Sequence, residues 1–337
     1  MALCSGITWR NQRNRQFLIF DWKKNYRDLL QLPELKDILV FTAGKSFSPF
    51  SFNPLVPPPG AEPTQWLLAI VDVIEHAYFV GEGVEYLLRD AIHHYYSELE
   101  VYNGEKKYPT FHLIYDFVRK KKLKGRMSLW LASTLRVLDS LTFPRSMGSV
   151  TSVSDNELLE NLLTRNVIIE LDGLADADKV FLTEALILWI YELRKNEGKR
   201  EHFKHALVIE EGHHILGERK EHAEGAETVM ETALRQIREF GEAVIVIDQE
   251  PSKLSNSIKA NTYAKMTFNL GNGKDILDIS QAMMLNDEEV QYIDLLNVGF
   301  AIVKLKGRFF QPVLVQFPLV ELKKGLVSDK IVEDMMK

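Results

Sequence analysis

Five short apolar runs constrain the fold of this 337-residue chain more than any other feature of its sequence. They occupy positions 16–20, 38–42, 167–171, 206–209 and 243–247 and are rich in Val, Ile and Phe. None alternates cleanly between apolar and polar residues, which is typical of strands buried on both faces of a parallel sheet. Stretches with helical periodicity separate the runs. The sequence therefore predicts an α/β fold, with a mostly parallel sheet flanked by helices.

The segment 64–163 differs from its surroundings because it reads as helical almost throughout. We interpret it as an all-helical insertion, with the Pro-rich stretch 54–63 as its entry linker. The predicted organisation is a first part of the core at 1–63, the insertion at 64–163, and the main part of the core at 164–337. Later apolar runs at 299–305 and 312–317 predict a hairpin at the edge of the fold.

Charge and cysteine content limit the functional classes. The chain has 41 Lys+Arg against 47 Asp+Glu, a net charge of −6, which excludes a surface that is basic all over but not a local basic channel. The single cysteine, Cys4, forms no internal disulfide and predicts a reducing compartment. The sequence has no signal-peptide pattern and no apolar run long enough to span a membrane. We expect a soluble, cytoplasmic protein.

The strongest candidate for chemistry is the segment 205–214, His-Ala-Leu-Val-Ile-Glu-Glu-Gly-His-His. An apolar strand ends there in Glu210 and Glu211, and nucleotide hydrolases use such acids to hold Mg²⁺ and to polarise the attacking water. Acids are also common at strand ends without any catalytic role. The spacing of the acids from His213 and His214 matches the Glu-x-x-His pair of di-iron bundles, but that motif needs a mid-helix position and a second copy. We interpret the two histidines as the start of the next helix.

A second candidate follows the last of the five runs. Gln249 closes that strand, where a polar side chain could sense phosphate or orient water; the alternative is a simple turn capped by Asp248. The helix before the strand carries Arg235 and Arg238. An arginine at such a position can stabilise transferred phosphate across a subunit interface, although lone helical arginines are more often only solvated.

Two Gly-Lys sequences fail as phosphate-binding P-loops, G-x-x-x-x-G-K-[ST]. In the first, Gly44-Lys45-Ser46, the required first glycine is Leu39, and the prolines that follow prevent the helix that should begin there. In the second, Gly273-Lys274, an aspartate stands in place of Ser/Thr. The sequence therefore contains no P-loop.

The order of these features resembles the ATPase core of the HerA/FtsK-like superfamily of DNA-pumping motors, and the HerA branch most of all. The segments that carry the resemblance are 17–26 (FLIFDWKKNY), 53–55 (NPL), 167–174 (VIIELDGL), 208–213 (VIEEGH), 237–241 (IREFG) and 246–254 (VIDQEPSKL), with Asn261, Phe268 and Asp275 downstream. The resemblance implies a RecA-like fold and a homo-oligomer, as a hexameric ring, that hydrolyses ATP with Mg²⁺ and moves along double-stranded DNA. It also suggests a nuclease partner.

The resemblance also implies roles for individual residues. Glu211 would be the catalytic base, Glu210 the acid on the Mg²⁺ side, and Gln249 the sensor. Arg238, or alternatively Arg235, would act on the nucleotide of a neighbouring subunit. Asp21 and Lys23 would take part in nucleotide binding.

The sequence departs from the family pattern in several places. Gly212, Glu239 and Glu250 replace the usual Ala, Lys and Arg, and the Walker A loop and the N-terminal β-barrel are not found. We expect one of two explanations for the missing loop. Either the chain is the C-terminal part of a DNA-translocating ATPase, or it is a P-loop-less relative that serves as a binding or scaffold subunit.

Overall fold

A computed structural model describes residues 16–198, 200, 203–217 and 229–336 of the chain. Cys4 lies outside the described residues. The described part of the chain folds into two compact units. The larger unit comprises the described residues within 16–209, 229–245 and 324–336, and the smaller comprises 210–217 and 246–323. The predicted domain boundaries at 63/64 and 163/164 stay a prediction.

A five-stranded sheet forms from the five apolar runs. Its strands β1 to β5 are Gln16–Asp21, Leu39–Thr42, Val167–Glu170, His205–Glu210 and Glu242–Ile247, in the spatial order β2-β3-β1-β4-β5. The pairings of β1 with β3, of β1 with β4 and of β2 with β3 are parallel. The predicted α/β class with a mostly parallel sheet is confirmed.

Burial differs among the strands of the sheet. Strands β1, β3 and β4 are buried over almost their whole length, as their continuous apolar sequences predict. Strand β5 differs, because residues 243–247 are only half-buried. The expectation that this run is buried on both faces is therefore wrong. Strand β5 lies at one edge of the described sheet, but β2 at the other edge is buried over residues 40–42, so edge position alone does not account for the difference.

Six helices occupy the segment predicted to be helical. Helices α1 to α6 are Pro63–Tyr78, Glu82–Glu98, Phe111–Arg119, Arg126–Thr142, Met147–Thr151 and Glu157–Leu162. Helix α1 shows how the sequence sets these elements. Pro63 occupies its first turn, the Glu62 side chain accepts from the Gln65 backbone N–H at 2.8 Å, and an apolar stripe with Trp66 and Ile70 is buried.

The other helices described are α7 to α13. Their bounds are Asp176–Glu197, His213–Leu216, Val229–Gln236, Asn256–Asn261, Gly273–Met283, Asp287–Val290 and Asp329–Met335. Short 3-10 helices lie at Arg27–Gln31, Pro33–Leu35, Val101–Asn103, Ile237–Phe240 and Pro251–Lys253. Helix α7 is apolar on most sides, buries nearly all of its side chains from Val180 to Leu193, and packs against α1. In the described part of the chain, none of the helices has both the length and the apolar character needed to cross a membrane.

Asn53 ties the two ends of the helical segment together. Its backbone N–H donates to Asn156 Oδ1 at 2.8 Å, and Asn156 Nδ2 donates back to the Asn53 carbonyl at 2.9 Å. The Asn53 side chain donates in turn to the Pro109 carbonyl at 3.0 Å. The adjoining Pro-rich residues 54–58 are buried. The first half of the predicted entry linker, 54–58, is therefore held in place by burial and by the contacts of the neighbouring Asn53.

A second, three-stranded sheet belongs to the smaller unit. Strands β6 (Ala264–Thr267), β7 (Phe300–Leu305) and β8 (Val313–Gln316) are antiparallel in that order. The predicted hairpin of the last two runs is confirmed. The buried side chains of Met283, Ile293, Leu296 and Ile302 form the core of this unit.

Candidate functional site

The turn that follows β4 carries the two acids of the strongest sequence candidate. Glu210 is the last residue of β4 and Glu211 follows it, and each is only 7% exposed. Glu211 has φ = 52°, in the left-handed region that residues with a Cβ rarely adopt. Such a conformation costs on the order of 1 kcal/mol and persists where its surroundings impose it, commonly at functional sites. The chain turns at Glu211 into helix α8.

Gly212 allows this turn to lie against the end of β5. Its backbone N–H donates to the Ile247 carbonyl at 3.2 Å. A Cβ built on Gly212 would lie 2.3 Å from Val246 Cγ1, closer than two carbon atoms can approach. The Val246 side chain therefore leaves no room for a Cβ at position 212 unless its Cγ1 methyl group moves, which favours glycine there.

Glu211 and Gln249 are brought together by this arrangement. Gln249 Nε2 donates to Glu211 Oε1 at 2.8 Å. The glutamine is exposed, whereas the carboxylate is buried. The hydrogen bond fixes the orientation of the carboxylate, whose second oxygen, Oε2, lies toward His213. Two of the residues that the sequence singled out thus meet across 38 positions of the chain.

Asp248 does more than cap a turn. Its Oδ1 accepts from the Glu250 backbone N–H at 2.7 Å, which confirms the predicted cap. Its Oδ2 accepts from both the backbone N–H and the Nδ1 of His213, at 2.7 and 2.9 Å. His213 Nδ1 lies 4.0 Å from Glu211 Oε2, and the His213 and His214 rings lie 4.1 Å apart. The histidines do begin α8, as predicted, but sequence reasoning missed their association with Asp248, which no local signal indicates.

Asp21 organises the turn after β1. Its fully buried carboxylate accepts from the backbone N–H groups of Lys23, Asn25 and Tyr26, at 3.3, 2.9 and 3.0 Å. The Lys23 side chain is exposed. These contacts give Asp21 a structural role. The nucleotide-binding role of Asp21 and Lys23 stays a prediction.

The two candidate arginines precede β5. Arg235 lies in the last turn of α9, and Arg238 lies in the 3-10 helix Ile237–Phe240, which ends at Gly241 with φ = 93°. Both arginines are exposed. Their action on a neighbouring nucleotide stays a prediction.

The two Gly-Lys sequences are engaged in local structure. Lys45 Nζ forms a salt bridge of 2.6 Å with Asp172, and bends rather than a helix follow it. The Lys274 backbone N–H donates to the Asn272 side chain at 3.1 Å, which caps the start of α11. Neither sequence forms a strand–loop–helix phosphate cradle in the parallel sheet.

Sequence reasoning missed a buried ion pair at the end of β3. Arg27 Nε donates to Glu170 Oε1 at 2.6 Å, and Arg27 Nη1 donates to Asp329 Oδ1 at 2.7 Å. Burial alone would lower the pKa of Arg27, but the hydrogen bonds to Glu170 and Asp329 raise it. Hydrogen bonds from Lys24 and Arg27 lower the pKa of Asp329 to about 2. These residues are 143 and 302 positions from Arg27, so no sequence motif links them.

Comparison with solved structures identifies the fold. VirB4 of Thermoanaerobacter pseudethanolicus superposes with a TM-score of 0.65 at 15% identity, over 91% of this chain and 82% of that chain. The fold is RecA-like. The bacterial conjugative coupling protein TrwB, lacking 70 N-terminal residues and in complex with sulphate, gives 0.62 at 12% identity, over 91% and 80% of the two chains. TrwB in complex with ADP and Mg²⁺ gives 0.58 at 12% identity, over 92% and 86%. No protein-family model matches the chain, and no curated protein matches it.

Proposed function

We propose that this chain is the core of a DNA-translocating ATPase of the HerA type, which uses Mg-ATP to move along double-stranded DNA. The observation that carries the proposal is the pairing of Glu211 with Gln249, beyond the ends of the neighbouring strands β4 and β5. In open α/β sheets, ligands bind beyond the carboxyl ends of the strands. A buried acid held by an amide at that position suits the activation of water.

The residues present fit Mg²⁺ and the attacking water. Mg²⁺ prefers hard oxygen ligands and neutralises charge on the phosphates when it is bound. Glu210 would supply a carboxylate on the Mg²⁺ side of the site. Glu211 would accept a proton from water, and Gln249 would fix the orientation of that carboxylate.

The solved structures support nucleotide chemistry for this fold. TrwB is a plasmid coupling protein and was solved with ADP and Mg²⁺ and with non-hydrolysable analogues of ATP and GTP. Extended to this chain, the same chemistry makes ATP and Mg²⁺ its cofactors.

The proposed motor works as a homo-oligomeric ring, with six subunits as in the HerA branch. Arg238, or alternatively Arg235, acts on the nucleotide of the next subunit, and the exposure of both side chains is compatible with that role. DNA passes through a central pore whose local basic lining offsets the net charge of −6. A nuclease partner and a cytoplasmic location complete the proposal.

A second candidate function is that of a non-catalytic binding or scaffold subunit in a DNA-processing complex. The observations that favour it are the engagement of Lys45 with Asp172 and of Asp21 with its own turn. A phosphate-binding lysine must be free to reach the nucleotide. In the described residues, neither Gly-Lys sequence is arranged to do so.

Calorimetry of Mg-ATP binding, together with ATP turnover on double-stranded DNA, separates the two functions. The motor predicts binding that Glu210→Ala weakens and turnover that Glu211→Gln removes. Glu239→Gln, at an exposed acid of the larger unit, is the control and should change neither. Near-normal turnover in Glu211→Gln would refute the assignment of the base. Absence of Mg-ATP binding by the unsubstituted chain would favour the scaffold.

A further inference from the structure

A cluster of three metal-ligating side chains lies in the turn after β4. Glu211, His213 and His214 each offer a ligand atom, and these atoms all lie within 4.8 Å of one another. We propose that this cluster binds a divalent transition metal of the Zn²⁺ type. The proposal does not rest on ATPase activity, because metal binding is measured on the chain itself.

The donor set selects the class of metal. Two imidazoles and one carboxylate form the three-ligand set found in many zinc sites, which leave a fourth position for water. Imidazole suits Zn²⁺, Co²⁺ and Ni²⁺, whereas Mg²⁺ favours oxygen ligands alone. The cluster therefore differs in kind from a magnesium site at Glu210.

The distances allow a metal after small side-chain movements. Zinc bonds of about 2.0–2.2 Å in a tetrahedral arrangement place neighbouring ligand atoms about 3.4 Å apart. The three ligand atoms now lie within 4.8 Å of one another, so they must approach each other by little more than 1 Å to bind one metal ion. His214 is only partly buried, so rotation of its ring can contribute to this approach while Asp248 holds the His213 ring. The backbone need not move, because the left-handed turn at Glu211 already brings its carboxylate near the first turn of α8.

Asp248 supplies the outer support that metal-bound histidines usually have. Its Oδ2 lies 2.9 Å from His213 Nδ1, and its side chain is only 4% exposed. A carboxylate that accepts from one ring nitrogen fixes the orientation of the ring and raises the basicity of the other nitrogen. The same carboxylate accepts from the His213 backbone N–H, so the ring and its helix are held together.

Metal binding would change the contacts of the Glu211 carboxylate. Its Oε1 accepts from Gln249, and its Oε2 lies toward His213. A cation bound by the two histidines would draw the carboxylate to itself. Zn²⁺ would thus remove this acid from any other task, and in a motor it would act as an inhibitor.

The test is titration of the whole chain with Zn²⁺ by calorimetry in excess Mg²⁺, and with Co²⁺ by visible absorption. The decisive variant is His213→Ala/His214→Ala. Its matched control is His93→Ala/His94→Ala, the other pair of consecutive histidines among the described residues, which lies on α2. We expect the first variant to weaken Zn²⁺ binding by more than about 100-fold, since loss of outer-shell support alone costs about 10–100-fold. The control should bind as the unsubstituted chain does.

Two further variants keep the test independent of folding. Asp248→Asn retains all three ligands and should weaken Zn²⁺ binding by about 10–100-fold. Glu211→Gln retains both histidines and should lose the visible Co²⁺ spectrum of a four-coordinate site. Circular dichroism checks that each variant is folded. Equal Zn²⁺ affinity in the two double-histidine variants would overturn the proposal, as would absence of Zn²⁺ binding by the unsubstituted chain.

Discussion

Gln249 Nε2 donates to Glu211 Oε1 at 2.8 Å, and this hydrogen bond links an exposed amide to a buried acid. In the proposed motor, the amide holds the carboxylate in the position that activates water. Gln249→Ala should therefore lower ATP turnover about 100-fold, the lower end of the range for general acid–base groups. Nucleotide affinity should remain, because the acids stay in place. Gln281→Ala, at an exposed glutamine of α11, is the control, and unchanged turnover in Gln249→Ala would remove the amide from the mechanism.

The lack of space for a Cβ at Gly212 gives a prediction that needs no activity assay. Gly212→Ala places a Cβ 2.3 Å from Val246 Cγ1, so we expect it to destabilise the fold by about 1–3 kcal/mol. Combining it with Val246→Ala removes the opposing methyl group, and the double variant should be more stable than the sum of the single changes predicts. Urea unfolding of the four proteins measures the coupling. Simple additivity would show that the two residues do not compete for the same space.

Asn156 gives a prediction about the helical segment. Asn156→Ala leaves the buried N–H group of Asn53 without its partner, at about 1–3 kcal/mol, whereas the Asn53 carbonyl still accepts from the Val56 backbone N–H at 3.1 Å. The Asn156 side chain makes no capping hydrogen bond to α6, so loss of helix capping does not contribute. Asn161→Ala, at an exposed residue of α6, should change the urea midpoint little. A similarly small change in Asn156→Ala would contradict the role of Asn156 in holding the two ends of the helical segment together.

Glu242 makes the stability of the larger unit depend on pH. Burial raises the pKa of Glu242, but the hydrogen bond from His205 and the charges of His205 and Arg194 outweigh it, so its pKa is lowered from 4.5. Because the folded-state pKa lies below the unfolded one, this stabilisation is present above pH 4.5 and is lost as the pH falls below it.

Glu242→Gln tests this link. It breaks a buried charge cluster in which Arg194 Nε lies 2.6 Å from Glu242 Oε1, so the loss of stability at pH 7 should be about 3–5 kcal/mol. In thermal unfolding between pH 3 and 7, the melting temperature of Glu242→Gln should fall less steeply with decreasing pH (a shallower acid limb) than that of the unsubstituted chain. The control is Glu239→Gln at an exposed acid, and an equal acid limb in both variants would count against the assignment.

The two acids that flank Arg27 should contribute unequally. Glu170 is fully buried, so Glu170→Gln should destabilise the fold by about 3–5 kcal/mol. The Asp329 side chain is 52% exposed, so Asp329→Asn should change stability at neutral pH by less than about 1 kcal/mol. The pKa of Asp329 is about 2 in the fold, below its ordinary 3.8, so its contribution is lost only as the pH falls from about 4 to 2. Urea midpoints of the two variants at pH 7 measure the contrast, and equal losses would refute it.

Much of the fold could be predicted because local patterns encode it. The apolar runs predict the five strands, and the 3.6-residue periodicity predicts the four helices between 63 and 142. Strand β5 shows the limit, since its sequence matches that of a central strand while its position is at an edge. Strand position depends on pairing partners, and pairing is not a local property.

In the candidate site, too, some residues could be predicted from the sequence and some contacts could not. Glu211 and Gln249 could be found from the sequence because each follows an apolar strand. The contact of Asp248 with His213 spans 35 residues, and that of Arg27 with Glu170 spans 143. Neither contact leaves a periodic or compositional signal. Contacts of this kind emerge only when tertiary packing brings distant side chains together.

The hydrogen bonds between Asn53 and Asn156 also have a consequence for changes in the length of this chain. One side chain closes a segment of 103 residues at its two ends, and within that segment helix α1 also packs against α7. The closure entropy of a flexible loop grows only with the logarithm of its length, by about 0.6 kcal/mol for each doubling. Lengthening a connection between the helices of this segment should therefore cost little stability, provided that the packing of α1 against α7 is kept. The connections between these helices are thus sites where the chain can gain residues while the β-strands keep their register.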